Sequence, residues 1–406
     1  MNPLHLSGYG VKLRVRNLET RSELEVRDGR DGITQPYVTS FYRPRRFPYS
    51  SIIIDGHSGY ISLQALHWLS RNKIPVFVMN FDGSLISSVL PPMPIKADLR
   101  AAQLEASGNL RMKHKIARAL VEAKIARSIQ VLEWLAERYD ISRDVLVVKR
   151  EALKLRHART VDAIRSVEGH VALKYWNAYG KVLPESLDFQ GRMTTSHQNN
   201  ATDPVNAALN YGYGFLEGEC RRAINAVGLE PSVGFLHETS GYQTKQSLVY
   251  DLQEPFRWIA DVTVMDAFES GVLDLPDFFF TGDDYRYRFE PGAKQRFLDL
   301  LRERFNSGVM YRGRALKWDT VIEQKATELG RYLSRRSGRF DFSEPSPSLH
   351  VVDDKSIRRD ILALSQSKAG RLGIAKSTLH YLRCRSKTHD RLRVYTKTRR
   401  KLLSVS

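Results

Sequence analysis

The chain has 406 residues, the length of two to three ordinary domains. Hydrophobic residues make up 42% and charged residues 27%, which excludes a disordered or collagen-like chain, and no apolar run is long enough to span a membrane. Sixty-three Lys and Arg stand against forty-five Asp and Glu, a net charge of +18 that points to a polyanionic partner, most commonly nucleic acid.

Residues 1–90 read mostly as strand. Val11, Leu13 and Val15 alternate with Lys12, Arg14 and Arg16 at period two. Leu24 and Val26 continue the pattern up to the turn-rich stretch 28–32. Residues 51–54 and 74–79 are short apolar strands, and Ser62 can cap a short helix that carries Leu63, Leu66 and Leu69. Asp82-Gly83 predicts a turn, and Pro91, Pro92 and Pro94 end the domain.

The pattern then becomes helical. Residues 112–138 carry Ile116, Leu120, Ile129, Leu132 and Leu135 at helical spacing, with a basic side that is either solvated or faces DNA. Helical pattern continues through 145–179. Residues 183–204 read as a loop, and helices resume at 205–227, 252–270, 292–306 and 319–335. Pro345 and Pro347 mark a linker.

Residues 350–406 hold fifteen Lys and Arg but four Asp and Glu, so more than half of the net charge lies in the tail. Helices are expected at 355–364, 367–372 and 377–385, with Gly373 at the turn. That is the helix-turn-helix pattern, and it puts Lys376, Ser377, Thr378, His380 and Arg383 at a DNA groove. The expected fold is therefore α+β and multidomain. It comprises an N-terminal β-rich domain (1–95), an all-α catalytic domain (96–345) and a C-terminal helix-turn-helix (350–406).

Cys220 and Cys384 form no CxxC pair, which excludes a disulfide scaffold and a thiolate zinc site and suits a reducing compartment. Cys220 sits at helical spacing with Leu216, Ala223 and Ile224 and reads as core. GxSxG, Walker A and HExxH motifs are absent. The first residues lack a charged segment followed by an apolar one, so no secretory signal is expected.

Candidate chemistry lies at 234–257. Asp251 and Glu254 are three apart, on one helix face. Pro255 suits a first helical turn, which places both acids at a helix entry. His237 precedes them in an apolar turn, and Glu168 stands upstream beside Gly169. One His with two or three carboxylates makes an oxygen and nitrogen site for Mn²⁺ or Mg²⁺. By spacing alone, a histidine such as His237 is more often structural than a ligand, and an acid such as Asp251 is more often a helix N-cap.

Five ordered stretches carry a resemblance: 167–169 (VEG), 204–213 (PVNAALNYGY), 228–231 (GLEP), 234–237 (GFLH) and 248–257 (LVYDLQEPFR). Together with 59–69, 72–76 and 81–83, they resemble the CRISPR-adaptation integrase family over roughly residues 5–340. The resemblance implies an N-terminal β domain, a helical catalytic domain and a metal triad of Glu, His and an acid. It assigns Glu168 and His237 to the first two places and Glu254 to the third, with Asp251 as the neighbouring acid. The tail stretch 369–382 departs from most bacterial members. It is similar to the tail of casposases, archaeal transposon integrases related to the CRISPR enzymes.

The resemblance implies a metal-dependent DNA integrase or endonuclease. A 3′-OH at a mobile-element end attacks a target phosphodiester. The alternative is a CRISPR spacer integrase working with a small partner protein on a repeat array. Expected partners are double-stranded DNA and a second copy of the chain, with further assembly on DNA, in a prokaryotic cytoplasm and with no membrane. His170 and Arg257 lie near the expected ligands as phosphate contacts or salt-bridge partners, and basic residues at 112–138 and 149–159 are candidates for holding DNA backbone.

Overall fold

The N-terminal strands are β1 (Leu4–Gly8), β2 (Val11–Leu18), β3 (Arg21–Arg27), β4 (Thr39–Tyr42), β5 (Ile52–Gly56), β6 (Gly59–Ile61), β7 (Val76–Met79) and β8 (Leu85–Val89). Alternation of apolar and charged residues gives β2 one buried face, whereas the continuous apolar runs of β5 and β7 are buried on both faces or nearly so. One sheet has the order β1-β5-β7-β8, with the first three strands parallel and β8 antiparallel. The other has the order β4-β3-β2-β6. Helix α1 (Leu63–Arg71) lies on the crossover between β5 and β7, and Ser62 caps it by accepting from the Ala65 amide at 3.1 Å. Leu13, Leu24, Ile52, Ala65 and Val76 share one core.

The computed structural model describes residues 3–19, 21–30, 36–56, 58–80, 85–91, 96–192, 201–237, 246–282, 286–343, 345–347 and 349. In the tail it describes 361–362, 364–371, 373–374, 376, 378–380 and 382–383. The expected turn at Asp82-Gly83 lies outside them. The chain divides into two compact units, Met1–Ser348 and Leu349–Ser406.

After the sheets come α2 (Ala97–Gly108), α3 (Leu110–Ala136), α4 (Ser142–Ala152), α5 (Val161–Gly180), α6 (Pro204–Val227), α7 (Ser247–Gln253), α8 (Trp258–Glu269), α9 (Pro291–Phe305) and α10 (Trp318–Leu333). The single helical stretch expected over 145–179 is two helices. A 3₁₀ turn at Leu153–His157 ends the first, and the Thr160 hydroxyl starts the second by accepting from the Ala163 amide at 3.1 Å. The region is also not all-α. Two hairpins, β9 (Phe278–Thr281) with β10 (Arg286–Phe289) and β11 (Gly308–Tyr311) with β12 (Arg314–Lys317), flank α9. Aromatic runs such as Phe278–Thr281 favour strands over helices.

α6 and α8 are buried nearly all round, Cys220 included, and form the centre of this unit. Gly212 permits their close approach, since a Cβ there would stand 2.9 Å from the Ala260 Cβ. Asp55 of β5 joins sheet to helices through Lys294 at 2.7 Å and the Tyr211 hydroxyl at 2.5 Å, all three buried. Among the described residues no helix is long and apolar enough to cross a membrane.

In the tail, Ile361, Leu364, Ala369, Ile374, Leu379 and Leu382 form a small core. Helix α11 (Gln366–Arg371) is followed by Gly373 at φ +64°, whose amide donates to the Gly370 carbonyl at 2.9 Å. Lys376, Thr378–His380, Leu382 and Arg383 are helical again. Of the expected helices, residues 355–360, 363, 372, 377, 381, 384 and 385 lie outside the described residues.

Candidate active site

α3 and α5 pack side by side, and α7 with the turn after it lies against α3. This arrangement brings Lys124, Glu168, His237 and Glu254 to one cavity of about 550 Å³. Arg127, Arg192 and Arg257 add positive charge to its wall, and Trp176, Tyr213 and Trp258 add aromatic faces.

The expected helix entry is found at Glu254 but not at Asp251, which lies in the last turn of α7. α7 ends at Gln253, a 3₁₀ turn follows at Glu254–Phe256, and α8 begins at Trp258. Pro255 lacks an amide hydrogen, so it cannot extend the α7 ladder and stands in the first turn of the 3₁₀ segment, as expected. The two acids still serve the same histidine from opposite sides. Asp251 Oδ1 lies 2.8 Å from His237 Nδ1, and Glu254 Oε1 lies 3.9 Å from Nε2.

Asp251 is completely buried and does not line the cavity. Its Oδ2 accepts from the amides of Phe235 at 2.5 Å and Leu236 at 3.0 Å, and its Oδ1 accepts from the His237 amide at 2.9 Å. Both oxygens therefore hold the loop that carries His237. Expected among the metal-site acids, Asp251 stands behind the imidazole, because three consecutive amides converge on it. Burial pulls the His237 pKa down, but the hydrogen bond and charge of Asp251 and the charge of Glu254 outweigh it and raise the pKa above its ordinary value.

Gly234 lets α7 close on this loop. A Cβ there would stand 2.7 Å from the Ser247 Cβ and 3.0 Å from Asp251 Oδ2. Gly234→Ala is expected to cost about 1–3 kcal/mol of stability, read by urea unfolding. An unchanged midpoint would show that the close approach is not needed.

Glu254 is buried, and its Oε1 accepts from Arg257 Nη1 at 2.9 Å. Its Oε2 has the Lys124 ammonium at 2.6 Å and, among the described residues, no further partner. Burial would raise this carboxyl, but the charges of Arg257, Lys124 and His237 override it and bring the pKa to about 2. The Lys124 ammonium also pairs with Glu168 Oε1. Burial lowers the Lys124 pKa, yet Glu254 and Glu168 together raise it above its ordinary value.

A second polar layer lies below. The Asp261 carboxylate accepts from the hydroxyls of Tyr175, at 2.8 Å, and of Tyr213. Arg257 stacks on the Tyr213 ring at 4.2 Å, and Arg192 donates to Asn206 at 2.9 Å and Asn210 at 2.8 Å. Burial raises the Asp261 pKa against the pull of these tyrosines and arginines.

Sequence reasoning missed the bridging place of Lys124, which it read as one basic residue on a helix face. It also missed Arg192 and Asp261, which carry no local signal, and the place of Tyr213, which closes the stretch 204–213. His170 is exposed, sets its Nδ1 2.7 Å from the Ser166 carbonyl, and does not line the cavity. In the tail, Lys376 and His380 are exposed and Thr378 is half-buried. Arg383 turns its guanidinium to the Leu364 carbonyl, and Ser377 lies outside the described residues.

Among the described residues no three carboxylate, imidazole or thiolate groups form a ready-made metal cluster. The donor chemistry nonetheless suits a hard divalent cation, since two carboxylates and an imidazole face one space and a cationic group already lies between the carboxylates.

A helical unit after mixed sheets, with Glu and His groups on one basic cavity, defines the class. The family model for CRISPR associated protein Cas1 matches residues 47–303, and the chain belongs to that family. It is 30% identical over 292 residues to the CRISPR-associated endonuclease Cas1 1 of Archaeoglobus fulgidus, covering 67% of this chain and 83% of that one. It is 29% identical over 345 residues to the protein of the same description from Methanospirillum hungatei, covering 82% and 96%. Among solved structures it is similar to a casposase bound to integration product, at 34% identity and a TM-score of 0.82, over 89% of this chain and 99% of that one.

Proposed function

We propose that the chain is a divalent-metal-dependent DNA integrase, a transposase that joins the 3′-OH ends of a mobile element to target DNA. The observation that carries this reading is the meeting of Glu168, His237 and Glu254 on one basic cavity. The similarity to a casposase bound to integration product supports it.

Glu168, Glu254 and His237 Nε2 are the groups that would hold Mn²⁺ or Mg²⁺. Such an ion polarises a phosphoryl oxygen and activates the attacking hydroxyl. Asp251 fixes the ring of His237 so that Nε2 faces the cavity. Arg257 keeps Glu254 in place, and Arg192 adds positive charge to the wall. In transesterification one phosphorus–oxygen bond forms to the incoming 3′-oxygen and one breaks to the departing 3′-oxygen. The proton lost by the first is matched by the proton gained by the second. Bond type is conserved, so positioning of two DNAs dominates the catalysis.

Lys376, Ser377, Thr378 and His380 are assigned to a DNA groove, with Arg383 partly engaged in holding the tail together. Two joining events at a staggered site call for at least a dimer. Deleting 350–406 is expected to reduce discrimination between element-end sequences by about tenfold or more, with basal strand transfer changed far less. End preference that survives the deletion would remove the tail as the reader.

A second reading, a CRISPR spacer integrase with a small partner protein, is favoured by the descriptions of the curated relatives. The deciding assay incubates purified protein with labelled 3′-OH duplexes, plasmid and Mn²⁺ or Mg²⁺. Paired insertion by the protein alone, with one end sequence preferred, supports the transposase. Activity only with a CRISPR partner or a repeat-bearing plasmid supports the spacer integrase.

A further inference from the structure

Lys124 lies on α3, far in sequence from both carboxylates it touches. Glu168 comes from α5 and Glu254 from the turn after α7. The ammonium pairs with Glu168 Oε1 and lies 2.6 Å from Glu254 Oε2. Glu254 Oε2 has no other partner among the described residues, and Oε1 of the same carboxylate already accepts from Arg257. Without a positive group between them, two carboxylates this close would repel.

We propose that Lys124 is the resident counter-ion of this site: its ammonium takes the place between Glu168 and Glu254 that a divalent cation uses, and the cation must displace it to bind. The inference rests on the metal-dependent reading above and adds a role for a residue outside the ligand set. Two cations cannot share two carboxylate oxygens a few ångströms apart without strong repulsion. Lys124 therefore keeps the acids paired at low metal and makes metal binding weaker than the bare ligands would give. Its flexible four-carbon stem lets the displaced ammonium move within the cavity, towards any phosphate held there.

The test uses the full-length protein, stripped with a chelator, and the near-isosteric variants Lys124→Met and Lys124→Gln. Mn²⁺ binding is measured by calorimetry, and thermal unfolding is followed with and without Mn²⁺. Both variants are expected to bind Mn²⁺ about tenfold or more tightly than the wild type. Their unfolding midpoints fall by several degrees in chelator, and saturating Mn²⁺ restores most of the loss. Lys124→Arg keeps the charge and is expected to bind Mn²⁺ as weakly as the wild type.

Wild-type protein that binds Mn²⁺ while the neutral variants bind equally or less tightly overturns the inference and leaves the metal reading standing. Wild-type protein that binds no Mn²⁺, in step with Glu254→Gln and with the neutral variants, overturns both. If one neutral variant does not fold in chelator but folds in Mn²⁺, the proposal is supported, because the ion then does the lysine's work.

Discussion

Glu254→Gln is expected to lower strand transfer by about 10³-fold or more while duplex DNA binding stays within about threefold. The substitution keeps the volume and removes the charge. That charge is present throughout the neutral range, because the carboxyl sits at about 2. Lys124 at 2.6 Å loses one of its two carboxylate partners and Arg257 at 2.9 Å loses the carboxylate it donates to, so stability falls by up to about 3 kcal/mol. The assay is therefore run at a temperature where circular dichroism shows the variant folded. Glu168→Ala is expected to behave alike in strand transfer. DNA binding persists in both variants because it is spread over many cations, of which this cavity holds few. A folded Glu254→Gln protein with wild-type strand transfer would remove the carboxylate from the chemistry.

The second large effect is expected at Asp251. Its two oxygens meet three backbone amides and the His237 ring, all within 3.0 Å. An asparagine turns an NH₂ group towards donors and leaves buried amides unpaired. The expected cost is about 3 kcal/mol in urea unfolding. Under the metal-ligand role proposed for His237, strand transfer falls about 10- to 100-fold, the usual effect of freeing such a histidine from its carboxylate. Asp251→Glu is expected to restore neither, since the longer side chain does not fit between α7 and the loop at Gly234. Equal stability and rate in Asp251→Asn would show that the loop is held by other contacts.

Much of the site is legible in the chain. The five ordered motifs placed Glu168, His237 and Glu254, and the structure brings these three to one cavity. The strands at β2, β5 and β7 and the long helix α3 follow from local patterning. Periodicity reports burial on one face, and a face is a local property. The division of 145–179 into two helices rested instead on a side-chain cap at Thr160, a weaker signal than the apolar repeat that runs across it.

The sequence by itself did not determine the two hairpins beside α9; what it determined was the N-terminal strands and the long helices, the basic tail and the residue types of the site. Local spacing and composition carry those. The resemblance assigns Glu254 the third place, and the tertiary structure decided what Asp251 does instead, which is to stand behind the histidine and hold its loop. Asp251 and Glu254 share a helical spacing, but α7 ends at Gln253, between them, and the amides of 235–237 capture Asp251. It also decided that Lys124 lies between Glu168 and Glu254. That contact joins three elements that no local pattern relates, and it exists only because burying α3, α5 and the turn after α7 together places their charged groups in one low-dielectric space, where opposite charges must pair.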